Sequence, residues 1–324
     1  MKRKPPANAK VFEQNVIALV WDFDKTLIRD YMQAPLFRRY KVDSARFWAE
    51  VDALAEVYAK RGIACNRDTL YLNHLLTYIE HGPLKGLTTD DLFAVGAELE
   101  YYPGLPEFFK DIKRRVADDR TFSKYGIAVE HYIVSTGFAD TIRGSAIAKY
   151  VDGIWGCEFI EEPMLPGFLG RKRQPKVGPR QIRQIAASFD NTSKTRALFE
   201  ISKGANRVKS IDVNSKMMEH DRRIPFDHMI YIADGPSDVP AFSILNQFNG
   251  QTFAIYPEGD RAAFEQVDRL RQDGRIDMFG PADYREKTQT WMWLTDHVAK
   301  IAQKIVEAKE ERLRQAVSDP PRHL

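Results

Sequence analysis

Two carboxylates two residues apart, Asp22 and Asp24, stand directly behind the apolar run Val16-Ile17-Ala18-Leu19-Val20-Trp21, with Lys25 and Thr26 following. An aspartate can attack as a nucleophile, move a proton as a general acid or base, or offer hard oxygens to a cation. Taken alone, the pair also fits a solvated turn at a strand end. Two later segments repeat the layout. His131-Tyr132-Ile133-Val134 runs into Ser135-Thr136-Gly137, and Met229-Ile230-Tyr231-Ile232-Ala233 runs into Asp234-Gly235-Pro236-Ser237-Asp238. Each run reads as a short buried parallel strand that delivers polar residues at its C-terminal edge. Ligands of open α/β sheets bind outside the carboxyl ends of the strands, so three such ends could converge on one site.

The segments between these strands must position them. Phe47, Val51, Leu54 and Tyr58 form one helical stripe closed by Gly62, and Leu72, Leu75, Leu76 and Ile79 form another stopped by Gly82-Pro83. They predict a separate small helical bundle. Pro103-Gly104-Leu105-Pro106, followed by Phe108, Phe109 and Ile112 at helical spacing, marks the return to the sheet. Residues Pro163 to Arg183 read as a mobile basic loop and Asn206 to Arg223 as a polar insert. Thr252 to Tyr256 reads as a further strand, and Leu294, Val298, Ile301 and Ile305 stripe a C-terminal helix, with Ser318 to Leu324 as a frayed tail. No internal repeat is present.

With 324 residues, 44% of them hydrophobic, the chain can build a large core and a smaller unit beside it. The net charge of +3 gives no general pull toward nucleic acid or membrane. Cys65 and Cys157, the two cysteines, argue against a disulfide scaffold and suit a reducing cytoplasm. The basic stretch Met1 to Lys10 and the short apolar run behind it suit neither a signal peptide nor a membrane span, so a soluble protein is expected. The seven histidines lack metal-ligand spacing, and Trp291 and Trp293 read as core or interface anchors.

The form Asp22-Phe23-Asp24-Lys25-Thr26, Asp-x-Asp-x-Thr behind a strand, resembles the first motif of the haloacid dehalogenase-like (HAD) hydrolases. Ser135 matches the second motif of that family. Asp234-Gly235-Pro236-Ser237-Asp238 matches the fourth, with Ala233 where the family carries a glycine. The third motif is a lysine: Lys194, opening a helix behind Asp190-Asn191-Thr192-Ser193, is the first choice, and Lys203 is the rival. The resemblance implies a Rossmann-like doubly wound, mostly parallel α/β sheet with an inserted α-helical cap, as in phosphoserine phosphatase-like members. The core would span 1–29 and 103–290, the cap 30–102, and residues 291–324 would form a helix and tail packed on the core.

The resemblance further implies that Asp22 is the nucleophile, forming an aspartyl-phosphate, and that Asp24 is the general acid and base. Mg²⁺ would be held by Asp22, Asp234 and the Asp24 backbone carbonyl, with Asp238 as a further ligand or holding a metal-bound water. Ser135, with the neighbouring Thr136 and Gly137, and Lys194 would bind the phosphate, and Thr26 would support the loop by hydrogen bonding. Charge neutralisation is what such chemistry needs, because a phosphate monoester is doubly charged and repels an anionic nucleophile. The implied substrate is a small phosphorylated metabolite, with specificity in residues Asp30 to Tyr102. Arg29, Arg38, Arg39 and Arg46 suit an anion site there but fit a charged helix face better, and Arg171-Lys172-Arg173 fits a solvated loop. Phosphotransfer to another alcohol, or a catalytically silent binding module on the same fold, stand as alternatives.

Overall fold

The computed structural model describes residues 12–172 and 178–318; the N-terminal basic stretch up to residue 11, Arg173 and the tail beyond Ser318 lie outside them. Seven strands form one sheet: β1 (Val16–Trp21), β2 (Ala128–Phe138), β3 (Gly153–Ile160), β4 (Gln184–Ala187), β5 (Met229–Ala233), β6 (Gln251–Tyr256) and β7 (Met278–Pro281). Their order is β4-β3-β2-β1-β5-β6-β7, and every pairing is parallel except β3 with β4. The chain winds outward from β1 through β2 and β3, then returns to build β5, β6 and β7 on the other side. β1 is therefore flanked by the starts of both halves, the place where a doubly wound sheet opens a crevice.

Alternation along the strands divides the core. Ile17, Leu19 and Trp21 of β1 join Ile133, Ile230, Ile232, Phe253 and Ile255 on one face, while Ala18 and Val20 join Val134, Met229, Tyr231 and Ala233 on the other. The first face is covered by the helix Glu107–Asp118 and by Leu294, Val298, Ile301 and Ile305 of the helix Gln289–Ser318. The second carries Ala197, Leu198 and Ile201 of the helix Asn191–Lys203 and Phe242 and Leu245 of the helix Val239–Gln247.

The segment between β1 and β2 leaves beside its own return, since Arg29 N donates to Glu100 O at 2.9 Å and Tyr102 N to Leu27 O at 3.1 Å. It contains the helices Gln33–Arg39, Ser44–Ala59, Arg67–His81 and Thr89–Val95. Its apolar stripes do not close on themselves as the sequence suggested. Phe47, Val51, Leu72, Leu75, Leu92 and Val95 belong to the same continuous core as Ile133 and Phe138 of the sheet. The approach is tight at Gly96, where a Cβ would lie 2.3 Å from the Thr141 carbonyl oxygen, so only glycine fits there.

β2 also differs from expectation. It was predicted to end at Val134, yet it runs to Phe138, and its register with β3 shifts between Val134 and Phe138. Ser135, Thr136 and Gly137 sit in that irregularity, where a strand bends and re-aims its side chains. β3, β4 and β7 were not predicted, because glycines break the apolar pattern of β3 and the other two are four residues long. Of the basic loop, Arg180 is ion-paired to Asp90 and Glu161.

One buried polar chain is built into the core under β1. Trp21 Nε1 donates to His131 Nδ1 at 3.1 Å, and His131 Nε2 lies 3.1 Å from the Phe109 carbonyl. With Nδ1 accepting, the ring proton sits on Nε2, so the imidazole is neutral. Burial, helped by Lys113, pushes its pKa down to about 3. The unfolded chain takes up this proton as pH falls through about 6.5, and the folded protein does not until far lower. The stability this group contributes is thus complete above that range and is lost toward acid. Urea unfolding at pH 7 and pH 5 should show a loss about 2 kcal/mol smaller in His131→Gln, which can keep both hydrogen bonds, than in wild type. Equal losses would contradict the neutral assignment.

Candidate functional site

Asp22 follows β1 directly, its N–H donating to Ile232 O of β5 at 2.8 Å. Continuing the alternation of Ala18 and Val20 brings its carboxylate to the face on which the helix Asn191–Lys203 packs. That helix begins at Asp190, whose side chain accepts from Ser193 N at 2.6 Å, and ends at Gly204 with φ 78°. Lys194 shares its inward face with Ala197, Leu198 and Ile201, which places the lysine under the ends of β1 and β5.

Lys194 Nζ lies 2.8 Å from Asp22 Oδ1 and 2.6 Å from Asp238 Oδ1. All three are buried, with 1%, 6% and 0% of their surfaces exposed. Burial opposes the charge on Lys194, but Asp22 and Asp238 outweigh it and raise its pKa, so it remains an ammonium. Burial drives the Asp22 pKa up; Lys194 opposes this, while Asp238 and Asp234 reinforce it. Burial, reinforced by Asp238, likewise raises Asp234 to about 6. Oxygens of Asp22, Asp234 and Asp238 lie within 4.8 Å of one another. Three carboxylates facing one ammonium, all with hard oxygen donors, fit a divalent cation such as Mg²⁺.

The Asp24 side chain is not in that cluster; its Oδ1 accepts from Met32 N at 2.9 Å. Burial pushes its pKa up to about 7, with the Met32 N–H opposing and Asp234 adding to the rise. Ser135 Oγ accepts from Gly137 N at 3.0 Å, which leaves the hydroxyl proton free to donate elsewhere. A Cβ on Gly137 would come within 2.2 Å of Met32 Cε. The Thr136 carbonyl accepts from Tyr71 OH at 3.2 Å, a contact from the inserted helices onto this loop.

Two sequence expectations meet a different arrangement. The Thr26 hydroxyl is buried but has no hydrogen-bond partner among the described residues; its carbonyl is what is held, by Tyr284 OH at 2.7 Å. Lys203, the rival lysine, donates to the Val213 and Ser215 carbonyls at 2.5 and 2.7 Å and so braces the polar insert away from the carboxylates. Arg39 and Arg46 are paired with Glu98 and Glu50 on helix surfaces. Met32, Tyr71, Tyr284 and Tyr231, whose hydroxyl donates to Asp238 at 2.5 Å, were not foreseen. For Tyr231 a signal existed: a phenol inside an otherwise apolar central strand needs a hydrogen-bond partner.

No protein-family model matches the chain. An uncharacterized protein of Borreliella burgdorferi is 37% identical over 290 residues, 88% of this chain and 97% of that one. The chain belongs to the same family as that protein. Among solved structures, a HAD-family hydrolase from Salmonella enterica serovar Typhi has 15% identity and a TM-score of 0.47, covering 82% of this chain and 66% of that one, just under two thirds of its length. A phospho-aspartyl intermediate analogue of phosphoserine phosphatase has 14% identity and a TM-score of 0.46, covering 86% and 98%. Among the described residues, no helix is long and apolar enough to cross a membrane.

Removing Lys194 leaves Asp22 and Asp238 buried without their shared counter-charge. Lys194→Met should therefore lose about 3–5 kcal/mol in urea unfolding, part of it recovered by adding Asp238→Asn. A single variant within about 1 kcal/mol of wild type would contradict this account of the buried cluster.

Proposed function

We propose that the chain is a HAD-type, Mg²⁺-dependent phosphatase that hydrolyses a small phosphomonoester through an aspartyl-phosphate on Asp22. The observation that carries this reading is the ammonium of Lys194 bridging Asp22 and Asp238 at the ends of β1 and β5, beside Ser135 of β2. The proposed nucleophile and a fixed cation are in contact there, largely buried, with the Ser135 hydroxyl on the strand beside β1.

In this reading Lys194 offsets the charge of the incoming phosphoryl group, and the Ser135 hydroxyl, whose oxygen takes the Gly137 N–H, donates to one of its oxygens at the Thr136-Gly137 irregularity of β2. Asp22, Asp234 and Asp238 would hold Mg²⁺, with the Asp24 carbonyl as the resemblance implies; when bound, the ion supplies further neutralisation of the phosphoryl oxygens. Asp22 attacks phosphorus as the bond to the leaving oxygen breaks, and Asp24 gives that oxygen its proton. Water then attacks the phosphorus of the aspartyl-phosphate, Asp24 takes the proton, and orthophosphate leaves with Asp22 regenerated. Thr26 acts through the loop it anchors, and its held group is the carbonyl.

The proposed division into a core of 1–29 and 103–290, a cap of 30–102 and a C-terminal element of 291–324 follows where the chain crosses at Arg29 and Tyr102. A cap seated on the Thr136 loop through Tyr71 supports a small substrate over a polymer. With p-nitrophenyl phosphate and Mg²⁺, Asp22→Asn should lower kcat by at least about a thousandfold and Asp24→Asn by about a hundredfold or more. Full activity in Asp22→Asn would remove the nucleophile assignment, and new phosphoesters in place of free phosphate on adding acceptor alcohols would make the chain a phosphotransferase.

A further inference from the structure

β5 is the strand beside β1, and its residues Met229, Ile230, Ile232 and Ala233 are apolar and buried. Tyr231 stands among them with no exposure to solvent. A phenol there carries a hydroxyl that must be desolvated, and a phenylalanine would fill the same volume without that cost. Its ring meets Phe242 edge-on, with centroids 5.5 Å apart and planes at 88°, while its place on β5 aims the hydroxyl toward the face on which the helix Asn191–Lys203 packs. That direction ends 2.5 Å from Asp238 Oδ1, the same oxygen that accepts from Lys194 at 2.6 Å. The other oxygen, Oδ2, accepts from Ser237 Oγ at 2.8 Å.

We infer that Tyr231 is a positioning residue of the site, holding the Asp238 carboxylate in the rotation that keeps Lys194 shared with Asp22 and leaves the carboxylate cluster ready for its cation. The inference rests on the reading of the site given above, though its test does not require turnover. A carboxylate offers about four lone-pair directions. Tyr231, Lys194 and Ser237 take three, so Asp238 is fixed in rotation by donors from three separate points. Lys194 comes from a different helix and Ser237 from the preceding residue; among the described residues, Tyr231 alone ties the carboxylate to the sheet. Without it, Asp238 can turn with Lys194 and draw the ammonium away from Asp22. Its contact is with Asp238 and not with the reacting atoms, so the effect should fall on cation binding and kcat more than on KM.

The experiment uses the full chain, wild type, Tyr231→Phe and Phe242→Leu, with Mg²⁺ titrated calorimetrically into the substrate-free protein and thermal unfolding followed in parallel. Tyr231→Phe should fold, bind Mg²⁺ about tenfold more weakly, and lower kcat on p-nitrophenyl phosphate with KM changed by less than about twofold. Phe242→Leu, which loosens the same packing but leaves the hydroxyl, should lose thermal stability and keep wild-type Mg²⁺ affinity. Weakened Mg²⁺ binding in Tyr231→Phe, in a wild type that binds the ion but hydrolyses nothing, would support the positioning role while defeating the phosphatase reading. Unchanged Mg²⁺ affinity in Tyr231→Phe, equal weakening in Phe242→Leu, failure of Tyr231→Phe to fold, or a wild type that binds no Mg²⁺ would each overturn it.

Discussion

Everything in the site depends on one buried ammonium held between two buried carboxylates. Lys194 touches Asp22 at 2.8 Å and Asp238 at 2.6 Å, inside a protein that shields all three from water. Such an arrangement is a poor way to gain stability, because the desolvation of the ions offsets most of their attraction and apolar residues of similar volume often do as well or better. It is intelligible as a device for the proposed function: a fixed positive charge beside a carboxylate that would approach an anion. The excess of carboxylates over the single ammonium gives the cluster its fit to a divalent cation.

The fold exists around that constraint in a specific sense. β1 lies at the switch between the two halves of the sheet, so Asp22 has Ser135 on one neighbouring strand and Asp234 on the other. The inserted helices share their apolar core with the sheet, and the tight approach of Gly96 to Thr141 is one expression of it. Near the site the same closeness recurs as Met32 lying against Gly137 while its N–H holds Asp24. Met32, at the entrance to the insert, thereby contacts both the proposed acid and the proposed phosphate-binding stretch.

How much of this could be read in the sequence differs by residue. The three strand ends were legible because buried parallel strands are apolar runs and their polar exits are abrupt. Lys194 was preferred and Lys203 kept as the rival; they are nine positions apart on one helix, about two and a half turns, and so face opposite ways. Lys194 shares the face of Ala197, Leu198 and Ile201, so helical geometry supports that preference. The Ser135 loop was legible as a polar exit but not as a bulge, since register depends on the partner strand. Tyr231 in its apolar run signalled the need for a hydrogen-bond partner without naming one, and Tyr284 lies 258 residues from the Thr26 carbonyl it holds; neither partner has a local signature. The merging of the insert with the sheet was equally invisible, because a helical stripe reveals an apolar face without naming what covers it.

The central claim is that Asp22 carries the phosphoryl group. It is tested most directly by quenching the protein during turnover of a phosphomonoester with Mg²⁺, reducing any acyl phosphate with borohydride, and mapping the product by peptide mass spectrometry. The account predicts conversion of the Asp22 side chain to the alcohol of homoserine, dependent on substrate and absent in Asp22→Asn. Reduction at Asp24 instead, or phosphate release with no reducible intermediate on any aspartate, would contradict it.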